Sequence, residues 1–191
     1  MKYYAVKNGR KTGIFTDWDS CRAQVEGFSG AEYKSFAEKE LAEAYLSGRT
    51  AEISQVTAYV DGSFNVKTGE YSYGAVIFAD GGVHKFCEKF SDREMAEMRN
   101  VAGEIKGAEF VMQYCVERGI NAVKIVYDYV GIEAWATGRW KTNKTGTARY
   151  KAYYDSVKNK ISVQFEKVKG HSGDEYNDMA DALAKSVLGI K

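Results

Sequence analysis

Between Val56 and Tyr127 the apolar side chains keep strand period three times, switch once to helical period, and then return to a short buried-looking strand. That alternation excludes an all-helical or all-strand domain. Val56, Ala58 and Val60 alternate up to Asp61-Gly62-Ser63, and Tyr71 to Phe78 forms a second run. Asp80-Gly81-Gly82 joins it to a third at Val83 to Phe90, which makes an antiparallel meander. Ile105, Ala108, Met112 and Cys115 then recur at helical spacing, and Val123 to Tyr127 is an apolar strand that stops at Asp128. A strand reached through a helix points to a parallel crossover. Helices at Val130 to Thr137 and Ala148 to Asn159, a strand at Ser162 to Val168 and a last helix through Met179 to Leu188 complete the order βββαβααβα. The expected class is α/β: a five-stranded mixed sheet with flanking helices.

A smaller ββαβα unit precedes it. Tyr3 to Val6 reads as a strand, Asn8-Gly9 favours a tight hairpin, and Thr12 to Phe15 is the returning strand. Thr16-Asp17 supplies a cap candidate ahead of Trp18, Cys21, Ala23 and Val25, and Gly27 and Gly30 stop that helix. Glu32 to Phe36 is extended and Ala37 to Leu46 helical. Ser47 to Gln55 carries few apolar side chains, so the division expected is residues 1–48 and 55–191. With no proline in the chain, no rigid proline linker separates the parts.

Composition narrows the function classes. At 191 residues, 45% hydrophobic and 28% charged, the chain can bury a core. Lys plus Arg 27 against Asp plus Glu 26 leaves a net charge of +1, so any nucleic-acid affinity must come from local patches. The apolar stretches fall far short of the ~20 residues of a membrane span, and no apolar signal region follows Met1-Lys2-Tyr3-Tyr4. Membrane insertion and classical secretion are not expected. Cys21, Cys87 and Cys115 are far apart and lack metal-site spacing, which suits a reducing, cytoplasmic location without disulfides or zinc.

The carboxylates carry the chemistry. In open α/β sheets the reactive crevice lies beyond the carboxyl ends of the parallel strands. Asp61 is expected to close the first strand of the larger unit and Asp128 the strand after the long helix, so both emerge at one edge if those strands are neighbours. Glu104 near the start of the long helix and Asp181 in the last helix bring the number to four. Such a cluster needs counter-charge, which divalent cations supply through oxygen ligands. Two ions roughly 3.5 to 4 Å apart suit in-line phosphodiester hydrolysis. Taken singly, each aspartate is more readily a turn former or a helix cap.

Asp61-Gly62-Ser63, Gly103-Glu104, Tyr127-Asp128 and Lys169-Gly170-His171-Ser172-Gly173 with Asn177 and Asp181 stand in the order of the type 1 ribonuclease H family. From about Val56 to Leu188 the chain resembles that family, whose order of elements is also βββαβααβα. The resemblance implies that Asp61, Glu104, Asp128 and Asp181 bind magnesium, as two ions with manganese a substitute. It implies that His171 is the flexible-loop histidine handling protons or product release, and that Ser63 and Asn177 lie by the substrate. Arg99-Asn100-Val101 stands where many members carry Thr-Asn-Asn, so Arg99 replaces a hydroxyl with a charged phosphate contact while Asn100 is retained. The long basic insertion of some members is absent. Arg139, Lys141 and Lys144 with Trp140 form a modest basic and aromatic surface in its place, or an ordinary amphipathic loop.

The first unit resembles the hybrid-binding, viroplasmin-like domain of cellular ribonucleases H, through Tyr-Ala-Val-x-x-Gly-Arg-Lys-Thr-Gly-Ile-Phe, Trp18, Cys21, Gly27-Phe28 and Tyr33-Lys34-Ser35-Phe36. By that resemblance Trp18 and Tyr33 contact the DNA strand and Lys34 a phosphate; otherwise the two aromatics are core. The function implied is an endoribonuclease that cuts the RNA strand of RNA/DNA hybrids, leaving 5′-phosphate and 3′-hydroxyl ends. A monomer with no obligatory protein partner suffices. The alternatives are a non-catalytic hybrid-binding protein and a DNA-directed nuclease of the same superfold.

Overall fold

A computed structural model describes residues 2–36, 39–46, 56–170 and 173–190. Its contacts divide the chain into two compact units, Met1–Ser54 and Gln55–Lys191. The residues between Ser47 and Gln55, where the sequence places the joint, lie outside the described ones.

The first unit is β1 (Tyr3–Asn8), β2 (Gly13–Phe15), α1 (Trp18–Val25), β3 (Glu32–Phe36) and α2 (Lys39–Leu46), with an antiparallel sheet in the order β2-β1-β3. Asp17 caps α1 by accepting from the Ser20 amide at 2.8 Å. Val6, Cys21 and Val25 form a small core flanked by Tyr4, Phe15 and Ala31. The tight Asn8-Gly9 hairpin is not formed. Asn8 is the last residue of β1 and pairs with Glu32 in β3, and a longer bend, residues 9–12, leads into β2. Contact with α1 overrides the local turn preference. The Arg10 amide donates to Gln24 O at 2.9 Å, and a side chain at Gly9 would lie 2.9 Å from the same oxygen.

The second unit runs β4 (Val56–Phe64), β5 (Tyr71–Ala79), β6 (Gly82–Phe90), α3 (Arg93–Ala96), α4 (Asn100–Glu117), β7 (Ala122–Tyr127), α5 (Gly131–Ala136), α6 (Thr145–Val157), β8 (Ser162–Lys167) and α7 (Glu175–Val187). The sheet order is β6-β5-β4-β7-β8, antiparallel from β6 to β4 and parallel from β4 to β8. This is the five-stranded mixed sheet expected, with one helix more. The single turn α3, capped by Asp92 on the Met95 amide at 2.8 Å, is too short to leave a periodic signal. No helix among the described residues is long and apolar enough to cross a membrane.

Glycines set how closely the two main helices approach the sheet. A Cβ at Gly103 in α4 would overlap the carbonyl oxygen of Ser72 and come within 2.9 Å of the Gly62 Cα, while one at Gly62 would strike Asn100 O and Glu104 N. Gly74 in β5 is pressed in the same way against Ala180 O and Ala184 N of α7. Ser72 Oγ donates to Ala184 O at 2.6 Å, so one short piece of β5 locates both helices. Around these contacts Val60, Tyr73, Ile105, Ala108, Met112 and Ile125 are buried in one continuous core.

Candidate functional site

The parallel pairing of β4 with β7 ends at Tyr59 and Val126, whereas the antiparallel pairing of β4 with β5 continues to Phe64. Asp61 therefore lies inside β4 rather than at its end, which corrects the expectation from sequence. What ends beside it is the neighbouring strand, and Asp128 is the first residue after β7. Glu104 projects from α4 over Gly62, at the helix contact that the two glycines make possible. Asp61, Glu104 and Asp128 thus offer oxygens that all lie within 4.8 Å of one another.

Asp61 and Glu104 are buried, Glu104 to 1% exposure. The Gly62 amide donates to Asp61 Oδ1 at 2.7 Å, and Asn100 Nδ2 donates to Glu104 Oε1 at 3.3 Å. Glu104 Oε2 is buried without a partner. Burial, and then the charge of Asp128, raise the Asp61 carboxyl to about 7. Burial, Asp128 and then Asp61 raise Glu104 to about 9. A buried group of this kind either keeps protons or takes a cation. The all-oxygen donor set and the unpartnered Glu104 Oε2 fit a hard divalent ion.

Asp181 lines the same cavity, about 360 Å³, with Asp61, Ser63, Arg99, Asn100, Asp128 and Lys185. It stands apart from the three clustered carboxylates and accepts from Lys185 Nζ at 2.7 Å. Lys185 was missed from sequence, although its i+4 spacing from Asp181 on one helix face was readable. Ser63 is buried in the wall of the cavity. Asn177, expected by the substrate, is 2% exposed with Oδ1 unpartnered, because the first turn of α7 that carries it packs inward. His171 lies outside the described residues. Its neighbour Gly170 lies against Asp128, and a Cβ there would come 2.5 Å from Asp128 Oδ2.

A second cavity of about 400 Å³ shares Arg99 and Asn100 with the first, and Tyr129, Trp135, Lys141, Asn143 and Lys144 line it as well. Arg99 turns the chain into α4 with φ 54 and ψ −131, a conformation rare outside glycine, and its side chain borders both cavities. Trp140 packs edge-on against Trp135 and Tyr129. Neither Tyr129 nor Trp135 was singled out from sequence, which places Trp135 only within the helix expected at Val130 to Thr137. Arg139 is not a free cation, since it pairs with Glu133 at 3.1 Å.

In the first unit Trp18 and Tyr33 are exposed, 42% and 45%, with ring centroids 5.9 Å apart. Lys34 follows on the exposed strand β3. The two rings therefore form a surface pair and are not core.

Residues 53–188 match the family model described as RNase H, and residues 2–46 match that of the Ribonuclease H1 N-terminal domain. Ribonuclease H1 of Rattus norvegicus is 38% identical over 257 aligned residues, covering 96% of this chain and 88% of that protein. Ribonuclease H of Crithidia fasciculata is 51% identical over 49 residues, 26% of this chain and only 10% of the relative. The match to human Ribonuclease H1 likewise spans just 15% of its length. Among solved structures, RNase H1 of Halobacterium salinarum superposes with a TM-score of 0.59 at 22% identity, over 71% of this chain and 98% of that one, a likeness of fold.

Proposed function

From the premise that the chain belongs to the RNase H family, we propose that it hydrolyses the RNA strand of RNA/DNA hybrids, leaving 5′-phosphate and 3′-hydroxyl ends. The observation that carries this reading is the group Asp61, Glu104 and Asp128, with buried Glu104 Oε2 lacking any partner. These three would hold magnesium, two ions with Asp181 completing the set, and manganese would substitute. Bound divalent ions supply counter-charge, water activation and stabilisation of the leaving oxygen.

The chain's own groups do the rest. The Gly62 amide engages Asp61 Oδ1 and so orients that carboxylate, while Asn100 orients Glu104 through Oε1. Lys185 holds Asp181 at the rim. Arg99 and Asn100, between the two cavities, suit a phosphate. Lys141 and Lys144 beside Trp135 and Tyr129 suit the backbone and sugars of the uncut strand. His171 is assigned proton handling or product departure, a role within reach of an imidazole near neutrality. Exposed Trp18 and Tyr33 with Lys34 form the proposed hybrid contact of the first unit. One chain carries all four carboxylates, so a monomer suffices. Its three free cysteines suit a reducing cytoplasm.

The test is a cleavage assay on labelled RNA/DNA hybrid, duplex DNA and duplex RNA, each with magnesium and with chelator. Magnesium-dependent cutting of the hybrid alone is expected. Binding of the hybrid without cutting would make the protein a non-catalytic reader, and cutting of duplex DNA would move it to another branch of the superfold.

A further inference from the structure

Tyr127, the residue before Asp128, is fully buried, yet its hydroxyl reaches Glu133 in α5 and donates to Oε2 at 2.7 Å. The same oxygen lies 3.1 Å from Arg139 Nη2, in the loop between α5 and α6. Tyr127 is also tied through its backbone, where its carbonyl accepts from the Val168 amide at 2.8 Å as the chain leaves β8. Glu133 therefore joins the strand that delivers Asp128 to the loop that delivers Trp140 and Lys141. The α5–α6 loop is also held by the Trp140 ring, which packs on Trp135 and Tyr129. Trp140 is fastened by its amide to Ala134 O at 2.8 Å.

Resting on the hybrid-cleavage reading above, we propose that Glu133 is a positioning residue: it sets the α5–α6 loop, with Trp140 and Lys141, at a fixed place relative to the carboxylate site. The physical reason lies in the shared acceptor. One carboxylate oxygen that takes both a buried phenol and a guanidinium ties the two donors together. The side chain touches neither the three clustered carboxylates nor any group assigned to the reacting phosphate, so its loss is felt in the grip on substrate before it is felt in the chemical step.

The experiment uses the full chain with Glu133→Ala and Glu133→Gln, and reads kcat and KM separately on a short hybrid, with a thermal melt of each variant. Glu133→Ala should raise KM about tenfold while kcat stays within about twofold, as loss of a loop-fixing charged hydrogen bond implies. Glu133→Gln keeps an oxygen that accepts from Tyr127 and Arg139, so it should recover KM to within about threefold of the parent. An unchanged KM in Glu133→Ala, or no recovery in Glu133→Gln, overturns the proposal. Should Glu133→Ala not fold, Arg139→Ala severs only the exposed end of the link and must still raise KM. If the parent chain cuts no hybrid, the functional reading fails by itself. Fluorescence anisotropy of the same hybrid then tests the positioning role through the same ratio of affinities.

Discussion

Asp61 and Asp128 stand at one level of the sheet, each two residues beyond the parallel pair Tyr59 and Val126. β7 stops there while β4 goes on, held by β5 as far as Phe64. The result is a notch in the sheet, with one carboxylate on a rigid strand and the other on the turn that ends its neighbour. α4 overhangs the notch at Gly62, which places Glu104 third.

Asp128→Asn keeps the size of the side chain and removes its charge. We expect cleavage to fall by more than about a hundredfold, with hybrid binding nearly unchanged. The same change at Asp178, on α7 and not among the residues lining the cavity, should be mild. Activity of Asp128→Asn within a few fold of the parent would remove Asp128 from the metal set. A larger loss at Asp178 than at Asp181 would move the register of α7.

How much of this was legible in the sequence depends on range. The strand and helix periods gave the sheet and its main helices, because burial on one face imprints directly on sequence, whereas the four acidic positions were singled out by the resemblance to the family and its spacing. What escaped depends on partners distant in the chain. Asp61 looked like the end of a strand because Gly62 and Ser63 follow it, yet β5 pairs through all three. Gly62 and Gly103 looked like motif letters, whereas Gly62 makes room for the backbone of Asn100 and Glu104, and Gly103 for the Ser72 carbonyl and the Gly62 Cα. Tyr129 and Trp135 carry no local mark of the cavity they line, which forms only when the start of α4 comes alongside.

The raised Asp61 and Glu104 carboxyls predict how the metal-free protein responds to pH. Each binds its proton more tightly folded than unfolded. The stabilisation is fully present below the usual carboxylate range and is lost as pH rises to about 7 for Asp61 and about 9 for Glu104. In chelator, the melting temperature should therefore fall from pH 5 to pH 8. Glu104→Gln, which cannot ionise, should melt higher than the parent at pH 8 by a few degrees, about 2–4 °C per kcal/mol gained. Magnesium should stabilise the parent at pH 8 more than at pH 5. A parent that melts equally well in chelator at both values would contradict the buried, mutually repelling carboxylates.

Gly103→Ala tests the contact that brings Glu104 into place. Its methyl group would overlap the Ser72 carbonyl, which is backbone within a paired strand and has little room to yield. A loss of about 3 kcal/mol or more is expected, at the upper end of overpacking. Gly107→Ala, one turn along, meets Tyr73 Cβ at 3.2 Å and Val60 Cβ at 3.3 Å and should cost under about 1.5 kcal/mol. Urea denaturation of the two variants side by side checks the order. Equal stability would mean that α4 shifts freely on the sheet and that the glycine contact does not set the position of Glu104.

The first unit should contribute affinity and little chemistry. Trp18 and Tyr33 are exposed, so replacing both by Ala should leave the melting temperature within about 2–4 °C of the parent. The same double variant should raise KM on a long hybrid well above any fall in kcat, since base and sugar stacking is worth ~1–3 kcal/mol per ring. Lys34→Ala alone should weaken binding modestly and lower the salt dependence by about one phosphate contact. Residues 1 to 50 carry 8 Lys plus Arg against 7 Asp plus Glu, so the unit has almost no net field and single cations weigh more. Steady-state kinetics at two salt concentrations separates these effects. A double variant with unchanged KM on long hybrids would show that the aromatic pair, though exposed, does not grip the substrate.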